Sequence, residues 1–514
     1  MGSILAKLSA AMLAAGIAAS CAPVRTADAP PAPAPRPSPA PPPAPSEEAG
    51  VAFERESATG GFIPSVYFDG DPESPCAPAN QLPGPDASGR GYTCLEIFFG
   101  SNREFGAEPP SDLADHGGYP TDPGDFFADR RWAYAEQTAP YFRTRSQGEA
   151  QAAYETYATG RAFVTVPKRQ PGDKLVPFEY KGRFGRTRTP TDEDREEVFT
   201  LAQYELMPGE AFWRRAGDIK AISLAGASQG GLLDWANDRG AVLVYVHGFN
   251  VGFDGAAYRT AQLAYDLQFA GVPMFFSWPA NSSGNILSYF NDVSEASASV
   301  GDLKLFLKDV ESRLEPTKYI LLAHSHGNQV VLDALNELTA ERGPDADPMF
   351  DAVIFASPDV DAMEFKRLAE RSGSTAASKT LYASQDDRAI WVRTLLTRLR
   401  VPLIGQRIEE KPRAGHVPRG GRPLPVEGVD VIDVTQACTG PFGADEPADK
   451  VNHSKYADAR DLISDIRRLI DDLWAPPPLA APNERSEEMR ATPASAPSFW
   501  RFRRTEGGGR RACG

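Results

Sequence analysis

The stretch ILLAHSHGNQVVLDAL, residues 320–335, passes from an apolar run into a helix-like pattern through one serine with a histidine on either side. Two chemistries suit those residue types. Histidines two apart on a strand point the same way and can share a zinc ion, but such a site needs a third ligand and usually a carboxylate. The adjoining GNQVVL offers neither at ligand spacing, so no metal is expected. The other chemistry is nucleophilic. A strand that turns into a helix at a single residue holds that residue in a strained conformation, and small residues two before and two after let strand and helix approach. Ala323 and Gly327 occupy those places around Ser325, giving Ala-x-Ser-x-Gly. The pattern predicts a hydroxyl raised at a helix N-terminus, where the helix dipole and the His326 N–H face the charge that develops during attack.

A serine hydroxyl needs a neutral imidazole as base, and the imidazole needs a carboxylate that fixes its tautomer. The chain has 6 histidines: His116, His247, His324, His326, His416 and His453. His324 and His326 are too close in sequence to turn back on Ser325, whereas His453 follows the last expected strand, where the order serine, acid, histidine places the base. Asp387, at the end of KTLYASQDD, is the expected acid, ahead of Asp386, with Asp359 and Asp361 as further choices and helix capping as their ordinary role. HGFN at 247–250 closes a buried strand, and the N–H groups of Phe249 or Asn250 are expected to complete an oxyanion hole with His326. His247, Trp278, Tyr289 and Met363 are expected to line the substrate cleft.

These residues need a scaffold that ends several strands at one place. From Ala241 onward, short apolar runs (AVLVYVHGFN, VPMFFSWP, YILLAHS, DAVIFASPDV, KTLYASQDD and VDVIDVT) alternate with amphipathic segments. Fully apolar strands are what a parallel sheet covered on both faces requires. In VGDLKLFLKDVESRL, Leu303, Phe306, Leu307 and Val310 fall on one helical face. YTCLEIFFGSNREF predicts an earlier strand, and RAFVTVPK with EEVFTLAQYEL predicts an antiparallel pair at the N-terminal edge. The expected class is α/β, a mostly parallel sheet with helices on both faces, and ligands bind beyond the carboxyl ends of such strands.

The flanks read differently. Residues 1–20 have the layout of an export signal, and AASC places Cys21 where bacterial lipoproteins carry their lipid. Eleven prolines between Pro23 and Pro45 make 21–50 an extended linker. Residues 51–90 read as an irregular lead-in, 91–474 as the folded domain and 475–514, rich in Pro, Ala and Gly, as a disordered tail. Cys76 and Cys94 are close enough to form a disulfide in an oxidising periplasm. With 54 Lys and Arg against 69 Asp and Glu, the net charge of -15 argues against a nucleic-acid partner. The membrane is expected to be reached through lipidated Cys21, and oligomeric state is not encoded.

The motifs FFGSNR (98–103), VYVHGFN (244–250), FSWP (276–279), LLAHSHGN (321–328), ASPDVDAMEF (356–365), LYASQDDRAI (381–390) and NHSKY (452–456) are jointly specific. The chain from about Leu95 to Trp474 resembles a bacterial α/β-hydrolase family of unknown function within the esterase/lipase superfamily. The resemblance implies an α/β-hydrolase fold, Ser325 as nucleophile, Asp387 as acid and His453 as base. The chain departs from it at Ala323, where glycine is usual, and at His326, where methionine is common. The expected activity is hydrolysis of small-molecule or lipid carboxylic esters through an acyl-enzyme, without a cofactor, at the periplasmic side of the cell envelope. The alternative is a non-catalytic envelope lipoprotein that uses a hydrolase frame as a binding module.

Overall fold

The computed structural model describes residues 92–103, 157–167, 175–176, 191–207, 209–225, 239–280, 288–343, 345–387, 412–437, 453–475, 481–482, 489–492 and 499–502. The expected export signal, Cys21, the linker, the lead-in and Cys76 lie outside them. Cys94 is disulfide-bonded, and its partner also lies outside them.

The elements run β1 (Tyr92–Ser101), β2 (Ala158–Pro167), α1 (Asp192–Glu197), β3 (Thr200–Leu206), α2 (Gly209–Ala225), β4 (Val242–Val246), α3 (Phe253–Asp266) and β5 (Val272–Ser277). They continue as α4 (Ser288–Ala298), α5 (Val300–Leu314), β6 (Tyr319–His324), α6 (Gly327–Arg342), β7 (Phe350–Ala356), α7 (Ala362–Arg371), β8 (Ala376–Ala383) and β9 (Asp430–Asp433). The last are α8 (Lys455–Asp458), α9 (Arg460–Asp472), β10 (Met489–Thr492) and β11 (Phe499–Phe502). The strands form one 11-stranded sheet in the order β10-β11-β9-β8-β7-β6-β4-β5-β1-β2-β3. Every pairing from β11 through β9 across to β1 is parallel, while β1–β2, β2–β3 and β10–β11 are antiparallel. This is the α/β-hydrolase fold, with the expected antiparallel strands at the N-terminal edge.

Alternation along each central strand sends side chains to two cores. Val242, Val244, Val246, Leu321 and Phe355 face α5, α6 and α7, where Leu303, Phe306, Leu307 and Val310 of α5 are buried as their spacing predicts. Leu243, Tyr245, Leu322 and Ile354 face the other way, against α3 and the Leu462, Ile466 and Leu469 stripe of α9. Each such side chain removed from water stabilises the fold by about 1.5–3 kcal/mol. Covering both faces explains why these strands read as continuous apolar runs.

The disordered reading of 475–514 needs correction. Met489–Thr492 and Phe499–Phe502 are strands, β11 pairs in parallel with β9, and Arg501 Nε meets Asp433 Oδ2 at 2.7 Å. FWRF buries Phe499 in one core and Phe502 in the other, so its pattern does not alternate, and four residues within a Pro- and Gly-rich context carry no period that could stand out.

β4 pairs with β5 on one side and β6 on the other, so the chain reverses its direction of travel across the sheet there. That reversal opens a crevice beyond the carboxyl ends of β4 and β6. The turn at 248–250 and Ser325 stand at that end of β4 and β6.

Candidate active site

Ser325 joins β6 to α6 with φ of 54°, in the left-handed region that side chains other than glycine seldom adopt. Such a conformation persists only where its surroundings over-determine it. Here the Ser325 N–H donates to Ala356 O at 3.0 Å, and Ser325 O accepts from Asn328 N at 3.2 Å, Asn328 Nδ2 at 2.9 Å and Asp359 N at 3.1 Å. Sterics close the turn from the other side. A Cβ on Gly327 would lie 2.3 Å from His247 O, and one on Gly248 would lie 2.5 Å from Ser325 Cβ and 3.2 Å from its Oγ. The spacing that singled out Gly327 thus has a contact behind it. The HGFN turn thus lies against the serine at Gly248. Asn250 also has a positive φ, 58°. His326 caps α6, at the helix N-terminus.

Asp387, buried four residues beyond β8, accepts a hydrogen bond from His453 Nδ1, whose distance to Oδ2 is 2.7 Å. That bond fixes the orientation of the ring, with Nε2 on the edge opposite the carboxylate. The short helix α8, two residues beyond His453, anchors it. Tyr456 of α8 bonds Tyr245 of β4 at 2.9 Å, Arg259 of α3 pairs with Asp458 at 2.8 Å, and Gln262 Nε2 donates to Ala457 O at 2.9 Å. The His324 ring lies 4.6 Å from the His453 ring, and His324 Nε2 meets His453 O at 3.1 Å. Since His324 is chain neighbour to Ser325, the imidazole stands beside the turn that bears the serine. Among the described residues no hydrogen bond joins Ser325 Oγ to His453, a link that in resting serine hydrolases often tightens only with substrate bound.

The flanking histidines diverge. His324 faces His453 and Tyr456, whereas His326 lies near Trp278 and Asp359. Burial lowers the pKa of both, and for His324 the nearby His453 adds to the effect. Asp361 caps α7, accepting from Met363 N and Glu364 N, which is the ordinary role weighed for it. Asp386 turns outward, its Oδ2 4.0 Å from Lys455 Nζ. Asp359 stays inside, between His326 and Arg413, and burial raises its pKa against the opposing pull of Arg413.

Two expected cleft residues are corrected by their burial. His247 and Trp278 are both fully buried, stacked with ring centroids 5.2 Å apart, and Trp278 Nε1 donates to His247 O at 2.7 Å. They fasten the HGFN turn from beneath. Met363 is 64% exposed on the first turn of α7, and the Tyr289 side chain lies outside the described residues. The pattern FFGSNR also hides a role that sequence reasoning did not assign. Arg103 is buried, and its guanidinium donates to Ser277 Oγ at 2.7 Å, Ala280 O at 3.1 Å and Val251 O at 2.8 Å. It thereby ties β1, β5 and the HGFN turn together, and with burial it pushes the pKa of His247 down to about 3. A basic residue two positions after a buried apolar strand is the signal that could have pointed to it.

No curated protein is significantly similar to the chain. Among solved structures, the siderophore hydrolase EstB from Aspergillus fumigatus is similar over 33% of this chain and 48% of its own, at 19% identity and a TM-score of 0.15. The chain therefore spans about half the length of that structure. Residues 232–471, which include Ser325, Asp387 and His453, match the sequence profile of a family described as alpha/beta hydrolase of unknown function, DUF900.

Proposed function

We propose that the chain is a serine hydrolase of carboxylic esters, with Ser325 as nucleophile, His453 as base and Asp387 as the orienting acid. The observation that carries this reading is the juxtaposition of a serine held at φ 54° on a strand-to-helix turn with a histidine bonded to a buried aspartate at 2.7 Å. His453 takes the Ser325 proton as Oγ bonds to the ester carbonyl carbon, and the resulting oxyanion lies against the N–H groups of His326 and of Phe249 or Asn250. The tetrahedral species expels the alcohol, which receives the proton from His453, and leaves an acyl-serine. Water then attacks this ester with His453 again as base, releasing the carboxylic acid and restoring the hydroxyl.

The AASC sequence and the proline-rich linker support a lipid anchor at Cys21 and a position at the periplasmic side of the envelope. The disulfide at Cys94 favours such an oxidising compartment.

Labelling with a fluorophosphonate probe tests the catalytic reading. The wild type is expected to label at one serine, and Ser325→Ala to abolish both labelling and hydrolysis of p-nitrophenyl esters. A folded wild type that resists the probe at neutral pH favours the binding-module alternative instead.

A further inference from the structure

The segment after β8 returns to the site as residues 412–420 and is fastened to the loop following β7. Ala362 N donates to Pro412 O at 2.8 Å, Ala414 N to Val360 O at 3.0 Å and Gly415 N to Pro358 O at 2.9 Å. A Cβ on Gly415 would lie 2.5 Å from Ser357 C, so the two backbones are in direct contact. The root of Arg413 is therefore fixed. Its Nε stands 3.6 Å from Asp359 Oδ1, beyond a direct hydrogen bond, and its side chain keeps 24% exposure where that of Asp359 keeps 7%. Asp359 in turn donates its N–H to Ser325 O at 3.1 Å. A guanidinium thus lies on the more exposed side of the carboxyl of Asp359, a residue whose backbone is one hydrogen bond from that of the serine.

We propose that Arg413 is an anion-binding subsite of this cleft, and that the preferred substrates are esters carrying a second, negatively charged group such as a carboxylate. This rests on the ester-hydrolase reading and adds to it a substrate class. Guanidinium binds carboxylate through paired N–H donors, and among the described residues Arg413 makes no hydrogen bond through its Nη groups while its side chain keeps 24% exposure. Asp359 faces the guanidinium from 3.6 Å and keeps it beside the turn that bears the serine. In a chain of net charge -15, a cation at the serine is also what admits an anion against the surrounding field.

Two matched pairs of esters test this. In the first, the p-nitrophenyl monoester of adipic acid is compared with p-nitrophenyl hexanoate, placing the charge on the acyl side. In the second, the hexanoate ester of p-hydroxybenzoate is compared with that of p-hydroxybenzamide, placing it on the alcohol side. At least one pair is expected to show kcat/KM higher for the anionic member by about tenfold or more, and Arg413→Gln to lower that ratio by about tenfold to a hundredfold, with Arg413→Lys restoring part of it. Absence of a charge preference in both pairs, or a ratio that survives Arg413→Gln, overturns the proposal. Calorimetric titration of Ser325→Ala with the two anionic esters, with and without Arg413→Gln, reads the subsite without turnover. Loss of at least about tenfold in affinity supports it even if the wild type cleaves no ester, and equal or absent binding overturns it even if neutral esters are cleaved.

Discussion

At the scale of single residues, the turn around Ser325 shows how little room the proposed chemistry leaves. Gly327 has the carbonyl oxygen of His247 where a side chain would begin, and backbone cannot move aside as a flexible side chain can. Gly327→Ala is expected to cost about 1–3 kcal/mol, visible as a lowered urea midpoint, and to reduce fluorophosphonate labelling as the HGFN turn shifts. An unchanged midpoint and unchanged labelling would contradict this. The strained turn at Ser325 and the pairing of Asp387 with His453 were legible because the small neighbours of such a turn and the chain order of the three groups are local or ordinal properties of a sequence. Arg413 and Asp359 were not legible as a pair, since nothing in KPRAGHV or SPDVD announces that the two segments meet. The burial of His247 and Trp278 was likewise hidden, because a polar ring at a strand end looks the same in sequence whether it faces the cleft or underlies it.

At the scale of elements, the short helix after His453 acts as the mount for the imidazole. α8 has only 4 residues and is too short to be stable alone, so its position depends on Tyr245, Arg259 and Gln262 from the opposite side. The Arg259–Asp458 pair is largely buried, and removing one partner leaves the other charge uncompensated. Asp458→Ala is therefore expected to destabilise the protein by about 3–5 kcal/mol by urea titration, and below the transition to lower kcat for p-nitrophenyl esters more than it changes KM. A drop below about 1 kcal/mol would show that the mount is not held by this pair. The central parallel strands were readable because burial on both faces leaves an uninterrupted apolar run. The pair β10–β11 was not, because strands of 4 residues carry barely two periods of alternation.

For the whole molecule, the buried histidines set the response to acid. His247, His324 and His326 are each held below their ordinary pKa of 6.5 by burial, His247 at about 3. As pH falls below 6.5, the unfolded chain takes up protons on these rings and the folded chain does not, so folding stability decreases. For His247 the loss extends down to about pH 3, with a slope of up to about 1.4 kcal/mol per pH unit for each ring. Asp359, whose pKa is raised, works in the opposite sense within the carboxylate range. Urea midpoints measured from pH 7.5 to about 5 should therefore decline, and a flat or rising series would mean that these rings are protonated in the folded protein.

The docking of β11 against β9 has a consequence for biosynthesis. β9 is complete once residue 433 has been made, yet the strand that covers its outer edge begins only at Phe499. A nascent chain emerging from the ribosome or from a translocation pore accordingly carries an open row of amides and carbonyls for the whole intervening length. That interval is when a neighbouring copy can add itself to the sheet in place of the chain's own strand.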